Sequence, residues 1–256
     1  LSNPYSLFVA INGDIYVDNG YANGRVDKWT LNSSASISAM YVKNSCWGLF
    51  LDINNNLYCS MNSLNQVVMK SLNTNSAMWI VAAGADCSAP STNTLNGPRG
   101  IYVDTDLNLY VADCGNNRIQ LFLSTQLIGK NGPNGFRCLV GCSGVSGASS
   151  NQLYYPTALS FDSYGNMYAV DQNNYRIQKF LITSTYYEFN RSSELEIWIW
   201  SCVTLNQPNL CPSTTWYTNG ITFANSSTIG TVVSGSFVSI NNTVYVANQQ
   251  TNKVIV

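Results

Sequence analysis

The sequence predicts an all-β repeat architecture of short antiparallel strands. Three observations carry that prediction. First, residues 100–122, GIYVDTDLNLYVADCGNNRIQLF, read as three strands joined by polar turns, and the same sentence returns at 158–180 as ALSFDSYGNMYAVDQNNYRIQKF. It occurs three more times in weaker form. Second, a tyrosine marks the second strand of every copy: Tyr16, Tyr58, Tyr110, Tyr168 and Tyr245, at spacings of 42, 52, 58 and 77 residues. Third, a further apolar strand sits between copies.

The units follow in order. Unit one, residues 6–31, has strands SLFVAI, DIYVD and RVDKW. Unit two, 48–72, has GLFLDI, NLYCSM and QVVMKSL. Units three and four are the two clear copies. Unit five, 235–256, reads GSFVSI, TVYVAN and KVIV. Arg118, Arg176 and Lys253 each open a third strand eight residues after their tyrosine. Strands of four to six residues with short polar turns make an antiparallel meander. Fourth strands are predicted at 38–42, 78–83, 137–141 and 220–224. Pro4, Pro98 and Pro156 precede first strands, where a missing N–H does no harm. Four strands per unit and a period above 40 residues describe the blades of a β-propeller. We expect one domain over 1–256, with blade cores at 6–42, 48–83, 100–141, 158–224 and 235–256 and an insertion at 183–219. Five blades are visible, and six are expected if the chain is incomplete.

At 256 residues the chain is long enough to bury a real core. Its apolar share of 45% and charged share of 10% are unlike a disordered chain. The net charge of −1 supplies no basic field for a phosphate backbone, so nucleic acid is excluded as the expected partner. No apolar run reaches the ~18 residues of a membrane helix, so no membrane insertion is expected. The eight cysteines are Cys46, Cys59, Cys87, Cys114, Cys138, Cys142, Cys202 and Cys211, with no histidine and no CxxC pair, which argues against zinc. Dispersed cysteines fit an oxidising compartment. Four glycosylation acceptors, Asn32, Asn190, Asn225 and Asn241, agree with a secreted, extracellular chain.

The pattern G-[IL]-x-[VL]-D, then N-x-Y-V-A-D, then N-x-R-I-Q-x-F resembles the NHL repeat, closely in units three and four and partly in the others. The resemblance covers nearly the whole chain except 183–219. It implies a propeller, most often of six blades, and it implies no single activity. In this chain unit five lacks a fourth strand, and an open ring would expose strand edges. The expectation is therefore a longer chain, a neighbouring domain or a donated strand that closes the ring.

Topology sorts the features between two faces. In a four-stranded meander the first turn and the third-to-fourth connection lie on one face, here face B. The second-to-third turn and the link to the next blade lie on face A. Cys46 with Cys59 and Cys87 with Cys114 then fall together near face A. Cys138 with Cys142 and Cys202 with Cys211 are close in sequence. Eight cysteines allow about 105 pairings, so these four remain hypotheses. Asn32, Asn190 and Asn241 fall on face B and Asn225 towards face A. The face A turns carry the candidate binding residues Tyr21, Arg25, Asn62, Asn117, Tyr175 and Gln249, amides and aromatics that suit a protein or glycan surface but are also turn formers.

Histidine-based catalysis is excluded. The resemblance extends to amidating lyases, whose histidine-bound metal this chain cannot hold, and to lactonases with calcium in the channel. Asp52, Asp104 and Asp162 end first strands, and Asp18, Asp113 and Asp171 follow second strands. Acids repeated in every blade read as structural, paired with Arg25, Arg118 and Arg176 or with backbone N–H groups. The sequence reading is thus a non-catalytic extracellular binding or structural module without cofactor. The alternatives are a calcium-dependent hydrolase of lactonase type and an intracellular interaction propeller.

Overall fold

The computed structural model describes residues 3–84, 94–124, 136–184, 203–204, 207–208, 214–239, 241–248 and 251–256. Blade one contains β1 (Leu7–Val9), β2 (Ile15–Asp18), the short helix α1 (Gly20–Asn23), β3 (Arg25–Trp29) and β4 (Ser36–Tyr41). Blade two contains β5 (Gly48–Leu51), β6 (Asn56–Met61), β7 (Gln66–Ser71) and β8 (Ile80–Ala83). Blade three contains β9 (Pro98–Val103), β10 (Leu109–Asp113), β11 (Arg118–Phe122) and β12 (Phe136–Val140). Blade four opens with β13 (Pro156–Phe161), β14 (Met167–Asp171) and β15 (Arg176–Phe180). Two small ladders follow, in which β16 (Ile182–Ser184) pairs with β19 (Thr215–Trp216) and β17 (Val203–Thr204) with β18 (Gln207–Pro208). Then β20 (Ile221–Asn225) completes the blade by pairing with β15. Helix α2 (Ser226–Ile229) leads to blade five, β21 (Val233–Val238), β22 (Val244–Asn248) and β23 (Lys253–Ile255).

All strand pairs are antiparallel, and the blades are four sheets of four strands and one of three. This is a five-bladed β-propeller. The register is that of a meander: Val111 faces Gln120 on one side and Ile101 on the other. Each second-to-third turn ends on a residue in the left-handed region: Gly24, Asn65, Asn117, Tyr175 and Asn252, with φ between 53° and 56°. Asn and Gly suit that conformation. Tyr175 does not, and blade four carries the strain.

The repeat tyrosines Tyr16, Tyr58, Tyr110 and Tyr168 are buried between blades. The main core runs through blades two, three and four and includes Tyr58, Leu109, Tyr110, Leu121 and Phe180. Inner strands pack in sequence, β1 on β5, β5 on β9, β9 on β13 and β13 on β21, and no comparable packing joins β21 back to β1. Among the described residues a seam therefore separates blades five and one. Apolar side chains stand exposed along both of its walls: Leu7 and Val9 in blade one, Phe237 and Val254 in blade five.

Candidate functional site

The inner strands line a cavity of about 1650 Å³ that reaches the face B turns. The same place in the inner strand is occupied by Phe8, Phe50 and Tyr102 in blades one to three. Phe8 and Phe50 lie 5.0 Å apart, Phe50 and Tyr102 5.1 Å, and Tyr102 and Phe161 of blade four 4.8 Å, all tilted or edge-on. Such offset geometries are the favoured ones for aromatic quadrupoles. Polar groups interrupt this wall. The Tyr102 hydroxyl and the Ser160 and Ser236 Oγ atoms are buried and have no hydrogen-bond partner among the described residues. Burial pushes the Tyr102 phenol well above its ordinary pKa, so it stays a neutral donor. At the rim, Lys28 Nζ lies 2.6 Å from Asp14 Oδ2 and over the Tyr16 ring.

The periodic acids hold turns. Asp104 Oδ1 accepts the Asn108 N–H at 2.8 Å, and its Oδ2 accepts the Asn108 amide at 3.0 Å and the Tyr110 hydroxyl at 3.1 Å. Asp52 with Asn56 and Tyr58, and Asp162 with Asn166 and Tyr168, repeat the arrangement. On face A, Arg118 pairs with Asp113 at 2.8 Å and Arg176 with Asp171 at 2.7 Å. Arg25 departs from the expected pattern: it pairs with Asp27 at 2.8 Å, because Asp18 accepts N–H groups of Tyr5, Gly20 and Cys46 instead. These bonds engage the carboxylates of both sets. Among the described residues no three His, Cys, Asp or Glu side chains converge on a metal position. The channel wall at mid-depth is aromatic, and its donor set does not fit calcium, which takes six or more oxygens.

The described ones among the six predicted binding residues lie at the second-to-third turns of separate blades. Tyr21 and Tyr175 are exposed. Arg25, Asn62 and Asn117 are half-buried, and Asn117 turns inward to accept the Tyr155 N–H at 3.0 Å. Gln249 lies outside the described residues. Asn32, Asn225 and Asn241 are exposed, and Asn225 also caps α2 by accepting the Ser227 N–H. Asn190 lies outside the described residues, as does most of the 183–219 insertion.

Disulfides join Cys46 to Cys59 and Cys138 to Cys142. The expected bridge from Cys87 to Cys114 is corrected: Cys114 is a free, buried thiol. Its Sγ points to the Pro156 carbonyl of the next blade, 2.6 Å away, and not to the lead-in of its own blade. Burial pushes the thiol up to about 12, so it is inert at neutral pH. Cys87, Cys202 and Cys211 lie outside the described residues.

Sequence reasoning did not single out the aromatic positions of the channel. Their signal was available: Phe8, Phe50 and Tyr102 occupy one column once the units are aligned on their second-strand tyrosines.

Residues 95–122, which run through β9, β10 and β11, match the family model of the NHL repeat. The chain carries an NHL repeat in a five-bladed propeller. No curated protein matches it in sequence. Among solved structures it is similar to virginiamycin B lyase from Staphylococcus aureus, at 12% identity and a TM-score of 0.57 over 98% of this chain and 65% of that one. It is similar to a gluconolactonase from Xanthomonas campestris, at 10% identity and 0.60 over 93% and 66%. It is also similar to a calcium-binding regucalcin from Agrobacterium tumefaciens, at 12% identity and 0.58 over 96% and 67%. At these identities the likeness is one of fold. The chain spans about two-thirds of the length of each of these structures. The expectation of a non-catalytic chain is corrected by them. A lyase and a gluconolactonase share this fold, so catalysis is within its repertoire, and the missing histidine removes only the chemistry that needs histidine.

Proposed function

We propose that this NHL-type propeller takes a polyhydroxylated ligand, a sugar unit of a glycan, in the face B cavity. The observation that carries the reading is the set of buried, unpartnered hydroxyls of Tyr102 and Ser160 beside the rings of Phe50 and Phe161, which meet the Tyr102 ring edge-on and tilted. A buried hydroxyl without a partner costs about 1–3 kcal/mol. A sugar offers hydroxyls to satisfy it and C–H faces to cover the rings. Concave, mostly aromatic walls with a few fixed polar atoms are the usual form of a small-ligand site. Two disulfides are compatible with an extracellular protein, and we infer a secreted glycoprotein from them together with the exposed acceptors Asn32, Asn225 and Asn241.

The test is calorimetric titration of the full chain with a panel of neutral saccharides, alongside Tyr102→Phe. Loss of one neutral hydrogen bond predicts a fall in affinity of roughly 3- to 10-fold, with the fold retained. Binding by no saccharide, or equal affinity for the Phe variant, overturns the reading. Because a lyase and a lactonase share the fold, the recovered ligand is weighed by mass spectrometry, and a mass change marks turnover.

A further inference from the structure

Face A holds a second constellation, at the opposite end of the channel. Tyr5, Trp47 and Arg99 occupy equivalent places at the heads of the inner strands of blades one, two and three. They are stacked: Tyr5 on Trp47 with ring centroids 4.3 Å apart, and the Arg99 guanidinium 4.3 Å from the Trp47 ring. The Tyr155 ring, in the lead-in to blade four, also lies against the guanidinium, at 4.9 Å. Two rings from neighbouring blades therefore hold the cation, and its N–H groups remain for directional bonds.

Those N–H groups are underused. Arg99 Nη2 donates to the Tyr155 hydroxyl at 3.3 Å. The buried Nε has no acceptor, and no carboxylate pairs with Arg99 among the described residues. The contrast lies within the same face, where Arg25, Arg118 and Arg176 each have an aspartate. At the matching place in blade four, the Thr157 Oγ1 is buried and also unpartnered, in a residue only 4% exposed. Tyr155 lies in the left-handed region at φ 57°, as Asn3 and Gly97 do at the matching lead-in positions of blades one and three, so the repeated turn sets its backbone and blade four places an aromatic side chain there. The Tyr155 N–H is tied to Asn117 Oδ1, so the ring is fixed from the neighbouring blade.

We propose that Arg99, held by Trp47 and Tyr155, is a receptor for a carboxylate group presented on face A. A planar fork of N–H donors matches the two oxygens of a carboxylate in one plane. Trp47 and Tyr155 orient the fork, and Thr157 supplies a further hydroxyl at the same level of the channel. The site is separate from the face B cavity and stands whether or not that cavity takes a sugar.

The experiment follows the Arg99 Nε–H resonance of the full-length, ¹⁵N-labelled chain during titration with acetate, glucuronate, glucose and inorganic phosphate at constant ionic strength. The expected result is a saturable shift with acetate and glucuronate and none with glucose. Arg99→Lys, which keeps the charge and loses the fork, weakens carboxylate binding at least tenfold, read by competition or calorimetry. Tighter binding of glucuronate than acetate supports the proposal and assigns a sugar acid; equal binding supports it and assigns the bare carboxylate. No saturable shift overturns it. So does equal saturation by phosphate, or a Lys variant that binds as well as the parent. If the Lys variant does not fold, the titration of the parent chain decides alone.

Discussion

Asp104 shows how much one repeated acid does in this molecule. Burial lifts its carboxyl from 3.8 to about 6, against the opposing pull of hydrogen bonds from Asn108 and Tyr110. The folded chain therefore keeps this proton at a pH where the unfolded chain has lost it. The resulting stability is complete below pH 3.8 and is lost as pH rises through about 6. We expect the difference in urea unfolding free energy between the parent and Asp104→Asn to grow by up to about 3 kcal/mol, in favour of the parent, on going from pH 7 to pH 4. A pH-independent difference would show that Asp104 titrates alike in both states. At this scale the sequence was readable where a residue's role is local. The acids were recognisable as turn ties because they recur with Asn and Tyr at fixed offsets. Cys114 and Arg99 were not, because their partners, Pro156 and Tyr155, lie in another blade and no spacing rule reaches them.

At the scale of the element, the close approach of inner strands decides which residues can head them. A Cβ on Gly100 would sit 2.6 Å from the Ala158 Cα and 2.9 Å from the Thr157 carbonyl oxygen, both backbone atoms that cannot swing away. Gly100→Ala is therefore expected to destabilise by about 1–3 kcal/mol, the usual range for overpacking, with a lowered urea midpoint and an unchanged slope. Gly48 has the same role against the Arg99 carbonyl. Strand order, the fourth strands and the tyrosine register were all legible, since alternation and short polar turns leave a meander little choice. The β16–β19 ladder was not anticipated. Its partners lie across an insertion, and strands of three and two residues leave no periodic trace. The three-residue 3-10 turns after β6, β10 and β14 were also hidden within polar turn sequence.

For the whole molecule, stability is close to a sum over neighbouring blades, because each packs on the next and, among the described residues, blades five and one share no comparable packing. Blades two to four share the largest core, whereas the inner strand of blade one and the outer face of blade five stand open to water. Hydrogen exchange should reflect this. Amides of β10, β11 and β14 are expected to exchange slowest and those of β1 and β23 fastest, in a gradient from the middle outwards. Uniform protection across all five blades would mean that the seam is shut in solution.

The aromatic row also bears on how much of a long ligand is read. Phe8, Phe50 and Tyr102 come from three successive blades and neighbouring rings stand 5.0 and 5.1 Å apart. A glycan lying along that row would be gripped through adjoining units at once, and a single sugar through one link of it.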